Sequence, residues 1–418
     1  MARDMKDSGI KWFGSIPVNW KKVAVKRLFE IGRGRVIATT ELSDFGYPVY
    51  SSQTKNNGVL GYIDTYDYNR SQLTWTTDGA NAGTVFLREG KHNCTNVCGT
   101  LMPILESANN LRYLKYIVSY TAFFHKRADI NGYKIMNNEM AEIIIILPSQ
   151  EEQNRIADFL DTQCAHIDSV IEKTRAAIEE YKRLKQSVIT QAVTKGIRPN
   201  REMKDSGIEW IGEIPKEWNQ TKLKRFIAIP VIDGPHESPQ LFDSGIPYIS
   251  ATSIEKGKIN FDLKRGFISE RYCDECDKRY KPKRNDILVI KLGASTGQVA
   301  LVETDLRFNI WVPLAAVRCD NKTNSKYIYY CFQSLFLLRQ MELSWTFGTQ
   351  QTLGVKAIEQ LKFFIPSLNE QSEIVAYLDE KTTAIDSIIE KKEQLISELE
   401  AYKKSLIYEY VTGKKEVV

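Results

Sequence analysis

The chain has 418 residues, of which 43% are hydrophobic, 26% charged and 11% aromatic, a composition that excludes disordered, collagen-like and purely coiled-coil proteins. At roughly 100–200 residues per domain, this length predicts two to four domains with real cores. The seven cysteines lack framework spacing, the N-terminal Met1-Ala2-Arg3-Asp4 is too polar for a signal peptide, and the apolar run from Ile143 to Leu147 is too short to span a bilayer. The expected location is the cytoplasm. The formal net charge is +5, yet residues 151–195 (7 basic, 8 acidic) and 369–415 (7 basic, 10 acidic) lean acidic. The excess positive charge therefore lies in the remainder, where it suits a polyanionic partner.

The first recognisable block runs from Met5 to Trp20 and reads Met-Lys-Asp-Ser-Gly-Ile-Lys-Trp-Phe-Gly-Ser-Ile-Pro-Val-Asn-Trp. Residues 21–147 follow, rich in β-branched and aromatic residues and punctuated by Asn57-Gly58, Asp78-Gly79 and Asn131-Gly132. They predict an α+β module with one helix over residues 110–124. Its polar loops carry Ser51, Gln53, Lys55 and Asn57, then Thr77 and Asn81, Lys91 and Asn93, and finally Tyr133 and Lys134. Asn and Gln suit bidentate contact with adenine and Lys suits guanine or phosphate, although the same residues also make ordinary solvated turns.

At Pro148-Ser149 the pattern changes. Ser149 and Glu152 have the spacing of a capping box, with the serine hydroxyl on the N3 amide and the glutamate returning to the serine amide. Leu160, Ile167, Ile171, Ile178, Tyr181 and Val188 then recur at heptad-like spacing, with no proline or glycine before Gly196. This predicts a helix of about 45 residues, roughly 65 Å long.

The chain then repeats itself. Met203 to Trp218 matches Met5 to Trp20 at 11 of 16 positions, and residues 219–365 form a second module with a predicted helix over 325–341. The candidate contacts there are His236, Ser250, Thr252, Lys291, Ser295, Thr296, Thr349, Gln350 and Gln351. Most of the length difference between the modules falls between Gly257 and Gly293, which holds 15 residues more than Gly58 to Gly79. A second helix follows Ser367 and Glu370, with Leu378, Ile385, Ile389, Ile396, Leu399 and Leu406 at the heptad positions. One apolar stripe per helix needs a partner helix. The order of the repeats favours antiparallel intrachain pairing about a pseudo-twofold axis, with the modules at opposite ends, and a homodimeric zipper is the alternative. The expected domains are 1–149, 150–198, 199–367 and 368–418.

Catalytic signatures are missing. The sequence contains no G-x-x-x-x-G-K-[ST] or H-E-x-x-H motif and no Asn-Pro-Pro-aromatic tetrad. Cys273 and Cys276 make half a zinc knuckle, but Cys94 and Cys98 lie in the other module, so neither an enzyme nor a metal site is expected.

Two prefaced modules alternating with helices that open on Pro-x-x-x-Glu-Gln (Pro148 to Gln153, Pro366 to Gln371) resemble the specificity subunit of type I restriction–modification systems along essentially the whole chain. Asp233-Gly234-x-His236, Asn285-Asp286-Ile287-Leu288 and Gly348-Thr349-Gln350-Gln351 fit that family in the second module, while the first has Asn131-Gly132-Tyr133-Lys134 in place of the last. The resemblance implies a non-catalytic subunit whose two target-recognition domains each read half of a bipartite, asymmetric site in double-stranded DNA. It further implies helices that set the gap and dock two methyltransferase subunits using S-adenosylmethionine, joined for cleavage by motor–nuclease subunits using ATP and Mg. A protein-binding adaptor, a self-sufficient methyltransferase and a silent specificity copy are the rival readings.

Overall fold

In a computed structural model of the chain, residues 3–106, 108–130, 132–347 and 351–417 are described. They form a mixed α/β structure of two compact units, Met1–Thr174 with Gln394–Val418, and Arg175–Glu393. The division cuts through both long helices rather than between helix and module. Among the described residues there are eight α-helices: α1 (Leu111–His125), α2 (Asn137–Glu142), α3 (Gln150–Lys195), α4 (Glu270–Arg279), α5 (Ser325–Gln333), α6 (Leu335–Leu343), α7 (Val355–Gln360) and α8 (Leu368–Val411).

In the first unit the repeated block folds as a hairpin, Met5–Asp7 against Ser15–Pro17. The Gly9 amide donates to Asp7 Oδ1 at 3.0 Å and the Ile10 amide to Ser8 Oγ at 3.1 Å, which explains the Asp-Ser-Gly-Ile run. Gly9 sits at φ +68° and Gly14 at +59°, in the left-handed region that favours glycine. Behind the hairpin lies an antiparallel sheet in the order Val85–Arg88, Gln72–Thr76, Cys98–Pro103, Phe29–Arg33. A second sheet runs Val59–Ile63, Tyr47–Tyr50, Lys91–Cys94, Tyr68–Asn69, with Tyr47–Tyr50 and Lys91–Cys94 parallel. Trp20, Leu73, Trp75, Leu101 and Ile117 share one core with Ile156, Leu160, Ile167 and Ile171 of α3 and Leu406 and Val411 of α8.

The second unit repeats this plan. Its hairpin pairs Met203–Asp205 with Glu213–Pro215, and its main sheet runs Ile232–Asp233, Leu314–Val317, Ile287–Ile290, Val299–Leu301. A three-stranded sheet again contains a parallel pair, Ile246–Ile249 with Asn309–Ile310. Here the core joins Trp218, Ile287, Tyr327 and Phe364 to Ile189, Ala192 and Val193 of α3 and Ile374 and Leu378 of α8. The extra residues of this module supply α4, which buries Cys273 and Cys276.

The helix-start motif does more than the expected capping box. The Glu152 amide does donate to Ser149 Oγ, and the Glu370 amide to Ser367 Oγ, both at 3.3 Å. The carboxylates turn elsewhere: Trp20 Nε1 donates to Glu152 at 3.0 Å and Trp218 Nε1 to Glu370 at 3.1 Å. Arg3 pairs with Glu152, and Arg201 with Glu370 at 2.5 Å. The neighbouring glutamines clamp the module helices. Gln153 Oε1 accepts the Asn110 amide at the start of α1, and Gln371 Oε1 the Asn324 amide at the start of α5, each at 2.9 Å. About two turns further on, Asp161 accepts Tyr116 Oη at 2.7 Å and Asp379 accepts Tyr330 Oη at 2.6 Å. The repeated Glu-Gln and Leu-Asp pairs are thus fasteners between long helix and module.

Each unit also pairs the two long helices directly. Lys403 of α8 bridges Asp168 of α3 at 2.6 Å in the first unit, and Lys185 of α3 bridges Asp386 of α8 at 2.7 Å in the second. Of the heptad positions, Leu160, Ile167, Ile171, Ile178, Leu378, Ile385, Ile389 and Leu406 are buried, while Tyr181, Val188, Ile396 and Leu399 are half-buried. The helix expected over 325–341 is instead two. Ser334 breaks it by adopting extended backbone (φ −72°, ψ 149°) and capping α6 through the Leu337 amide at 3.3 Å.

Candidate nucleic-acid interface

In the first unit three polar segments converge. Asn56, Asn57 and Gly58 all take positive φ (48°, 50°, 80°), a left-handed run that suits Asn and Gly. A buried cation beneath fixes this loop: Arg88 stacks 3.6 Å from the Tyr50 ring centroid, and its Nη1 donates to the Asn57 carbonyl at 2.7 Å. Gln53 is tied to the Val59 carbonyl, and Ser51 is half-buried where its amide meets the Gly58 carbonyl at 3.0 Å. Lys55 and the Asn57 side chain stay exposed. Asn81 Nδ2 reaches Thr54 Oγ1 at 3.1 Å, joining the second segment to the first. The third is the hairpin Arg127–Asp129/Gly132–Lys134, which pairs Tyr133 with Gly79 and Lys134 with Asp78.

Charges are matched inside this cluster. Lys134 bridges Asp78 at 3.0 Å and Asp129 at 3.4 Å, and the Asp78 carboxylate above all raises the lysine's pKa. Burial pushes the Asp78 carboxyl up, but the Thr77 hydroxyl and Lys134 outweigh it and hold the group below its ordinary value.

Two candidates of this unit prove to be framework. Thr77 is fully buried with its hydroxyl on the Val97 carbonyl at 2.9 Å. Asn93 is fully buried too, donating to the Thr65 carbonyl at 2.8 Å and accepting the Asp67 amide at 2.9 Å. Neither side chain reaches the surface, and each satisfies buried backbone groups of the framework instead. Lys91 is exposed but lies apart from the cluster, over the rings of Tyr47 and Tyr66.

The second unit builds a corresponding place with different chemistry. The Gly293 amide donates to the Gln351 carbonyl at 3.1 Å, and the Leu353 amide to the Lys291 carbonyl at 2.8 Å, as the Ile135 amide does to Thr77 at 2.9 Å in the first unit. Ser295 and Gln351 are half-buried there, and the buried Thr296 spends its hydroxyl on the Gly293 carbonyl at 2.7 Å. Asp233 anchors the loop from beneath, accepting Lys291 Nζ at 2.8 Å, Arg279 at 2.6 Å and His236 Nε2 at 3.2 Å. Burial raises the Asp233 carboxyl, yet Lys291, His236 and Arg279 together hold its pKa below the usual range.

Lys291 is therefore a buried clamp rather than a free reader, whereas His236 remains 70% exposed at its side chain. Gly234 is needed by contact: a Cβ there would sit 2.3 Å from the Ile310 carbonyl. Ser250 is buried just before the turn Ala251–Ser253, whose Ser253 hydroxyl binds the Leu263 carbonyl, and Thr252 is exposed on that turn. Thr349 and Gln350 lie outside the described residues. Asp286, expected as a weak family mark, is buried and accepts Arg318 bidentately and Tyr280 Oη at 2.6 Å.

Sequence reasoning missed Arg88, and with it the device that shapes the 51–58 loop. An arginine in the strand Val85–Arg88 gives no local sign of the Tyr50 ring it stacks on. Among the described residues no group of three or more His, Cys, Asp or Glu is placed to hold a metal ion. No helix of the described residues is long and apolar enough to cross a membrane.

A family model described as the type I restriction modification DNA specificity domain matches residues 17–180 and 215–401. The chain belongs to that family. Each match contains one of the polar clusters described above, so a DNA-specificity domain carries each cluster. A sequence described as the N-terminus of a putative type I specificity subunit of Mycoplasma pneumoniae is 39% identical over 148 residues, 34% of this chain and 76% of that sequence. The putative MjaX specificity subunit of Methanocaldococcus jannaschii is 24% identical over 97% of this chain and 95% of its own length. The EcoBI specificity subunit of Escherichia coli is 23% identical over 99% of this chain and 90% of its own. A solved chain from a study of complex assembly and conformational transition of the type I restriction–modification system shares the fold, with a TM-score of 0.67 and 15% identity over 95% of this chain and 98% of that one. As a type I specificity subunit, the protein recognises DNA by sequence, and its family role is non-catalytic.

Proposed function

We propose that each specificity domain reads one half of a bipartite, asymmetric site in double-stranded DNA, and that α3 and α8 pair as an antiparallel coiled coil that spaces the halves. The observation that carries this reading is the pair of loop clusters on one framework: amide-rich and open in the first unit (Lys55, Asn57, Asn81), clamped around Asp233 in the second. One scaffold with two loop chemistries suits two different half-sites. The interhelix pairs Asp168–Lys403 in the first unit and Lys185–Asp386 in the second support the pairing of α3 with α8. The domain division 1–149, 150–198, 199–367 and 368–418 belongs to the same reading.

Exposed Leu184, Ile388, Leu395 and Tyr402 give the long helices apolar surface beyond their heptad seam. That surface suits two methyltransferase subunits, which would bring S-adenosylmethionine, with ATP- and Mg-dependent motor–nuclease subunits joining for cleavage. This chain would then bind none of those cofactors itself and would work in the cytoplasm.

Substitution tests the reading directly. Asn57→Ala in the first domain and Gln351→Ala in the second should each cost about 1–3 kcal/mol of discrimination in their own half-site if the side chain contacts a base edge. Competition binding with single-base variants of the site measures this. An unchanged preference would remove that residue from the interface.

A further inference from the structure

The hairpin Arg127–Asp129/Gly132–Lys134 carries at its turn the most exposed large apolar side chain among the described residues, Ile130, at 98%. Burial does not explain it, and its surroundings are not those of a stray surface residue. Phe123, Phe124 and Tyr133 are also exposed (62%, 43% and 42%), and Lys126 sits over the Phe123 and Tyr133 rings at 4.5 and 4.4 Å. The hairpin is held against the amide-rich loop: a Cβ on Gly132 would come within 3.0 Å of the Ala80 amide nitrogen and the Gly79 carbonyl carbon. Gly132 adopts φ +120°, so only glycine suits this close approach. The Lys134 bridges to Asp78 and Asp129 brace the same hairpin.

We propose that Ile130 is a wedge that enters the base stack of the first half-site, prising one step apart and bending the duplex while the neighbouring loops read base edges. Resting on the DNA-reading function above, it gives this domain a second source of specificity, the deformability of the prised step. The chemistry fits. An aliphatic side chain on a rigid, cation-flanked hairpin is what DNA-kinking proteins insert between bases, and unstacking is least costly at pyrimidine–purine steps. Lys126 supplies a cation for the flanking phosphates, and Tyr133 a flat face beside the wedge.

The test uses the full chain assembled with its methyltransferase subunits and duplexes carrying 2-aminopurine at successive positions of the first half-site. The parent should raise fluorescence at one step. Ile130→Ala should abolish that rise, Ile130→Met should restore it, and both variants should keep the base preferences set by Asn57 and its neighbours. Ile130→Ala should also lose several-fold affinity, most at sites with a pyrimidine–purine step and least at stiff ones. Sequence preference in the parent without unstacking at any position, or equal unstacking in Ile130→Ala, would overturn the wedge alone. Absence of sequence preference in the parent would overturn the DNA reading with it. Loss of methyltransferase binding in Ile130→Ala with unstacking intact would assign the tip to a protein partner instead.

Discussion

The buried carboxylates of Glu152 and Glu370 show how much of a repeated motif is fastening. Glu370 is 3% exposed and receives both Trp218 Nε1 and Arg201, whose side chain is only 9% exposed. Glu370→Ala leaves the buried indole N–H without its acceptor and Arg201 with only the exposed Glu217 as a partner, a loss of about 3 kcal/mol. Glu373→Ala removes the exposed bridge to Arg198 and a hydrogen bond from Asn369, and should cost far less. Thermal unfolding of the two variants checks the contrast, and equal shifts would contradict the fastening role. The sequence made the serine cap legible because that bond is local. It hid the tryptophan because Trp218 stands 152 residues from Glu370 along the chain. Asn57 and Asn93 teach the same lesson from the other side: both are loop-like amides in sequence, but one is exposed and one fully buried.

Asp233 gives a pH-dependent counterpart at this scale. Its folded pKa is depressed by Lys291, His236 and Arg279 against the upward push of burial. The stability it contributes is therefore fully present above the unfolded carboxylate value of about 3.9 and is lost as pH falls through the lower folded value. The parent should lose melting temperature below about pH 4 more steeply than Asp233→Asn, which lacks the titrating group. Identical acid limbs in the two proteins would show that Asp233 is not held in this way.

Among the elements, the long helices were the most legible, because a heptad stripe uninterrupted by Pro or Gly has few other outcomes. The break between α5 and α6 was not legible: Ser334 looks like a tolerable helix residue until its hydroxyl is seen capping α6. The helix α4 was hidden inside the length difference between the modules. If α3 and α8 are the ruler, removing one heptad from each shortens the helix pair by about 10 Å, roughly 3 base pairs. Methylated sites should keep both half-sites and lose about that much spacer. Retention of the original gap would mean that the helices do not set it.

Across the whole molecule, the repeat order was plain in sequence, but the compact units were not. Each takes one recognition module, the first part of one long helix and the last part of the other. This follows because the Glu-Gln and Asp fasteners bind a module to the start of the helix that follows it, while bridges such as Asp168–Lys403 bring in the end of the other. Sequence boundaries follow the chain, and compact units follow contacts in space. The loops that differ between the units are where the comparison with relatives says least, since a shared framework fixes the fold without fixing the bases read.

The measurement that bears most directly on the central claim is adenine-methylation mapping of the host genome with and without this chain, by long-read sequencing. Deletion should erase one asymmetric, two-part motif, and replacing residues 219–365 should change one half of that motif while leaving the other half in place. A methylome unchanged by deletion, or a replacement that alters both halves together, would contradict one recognition domain per half-site.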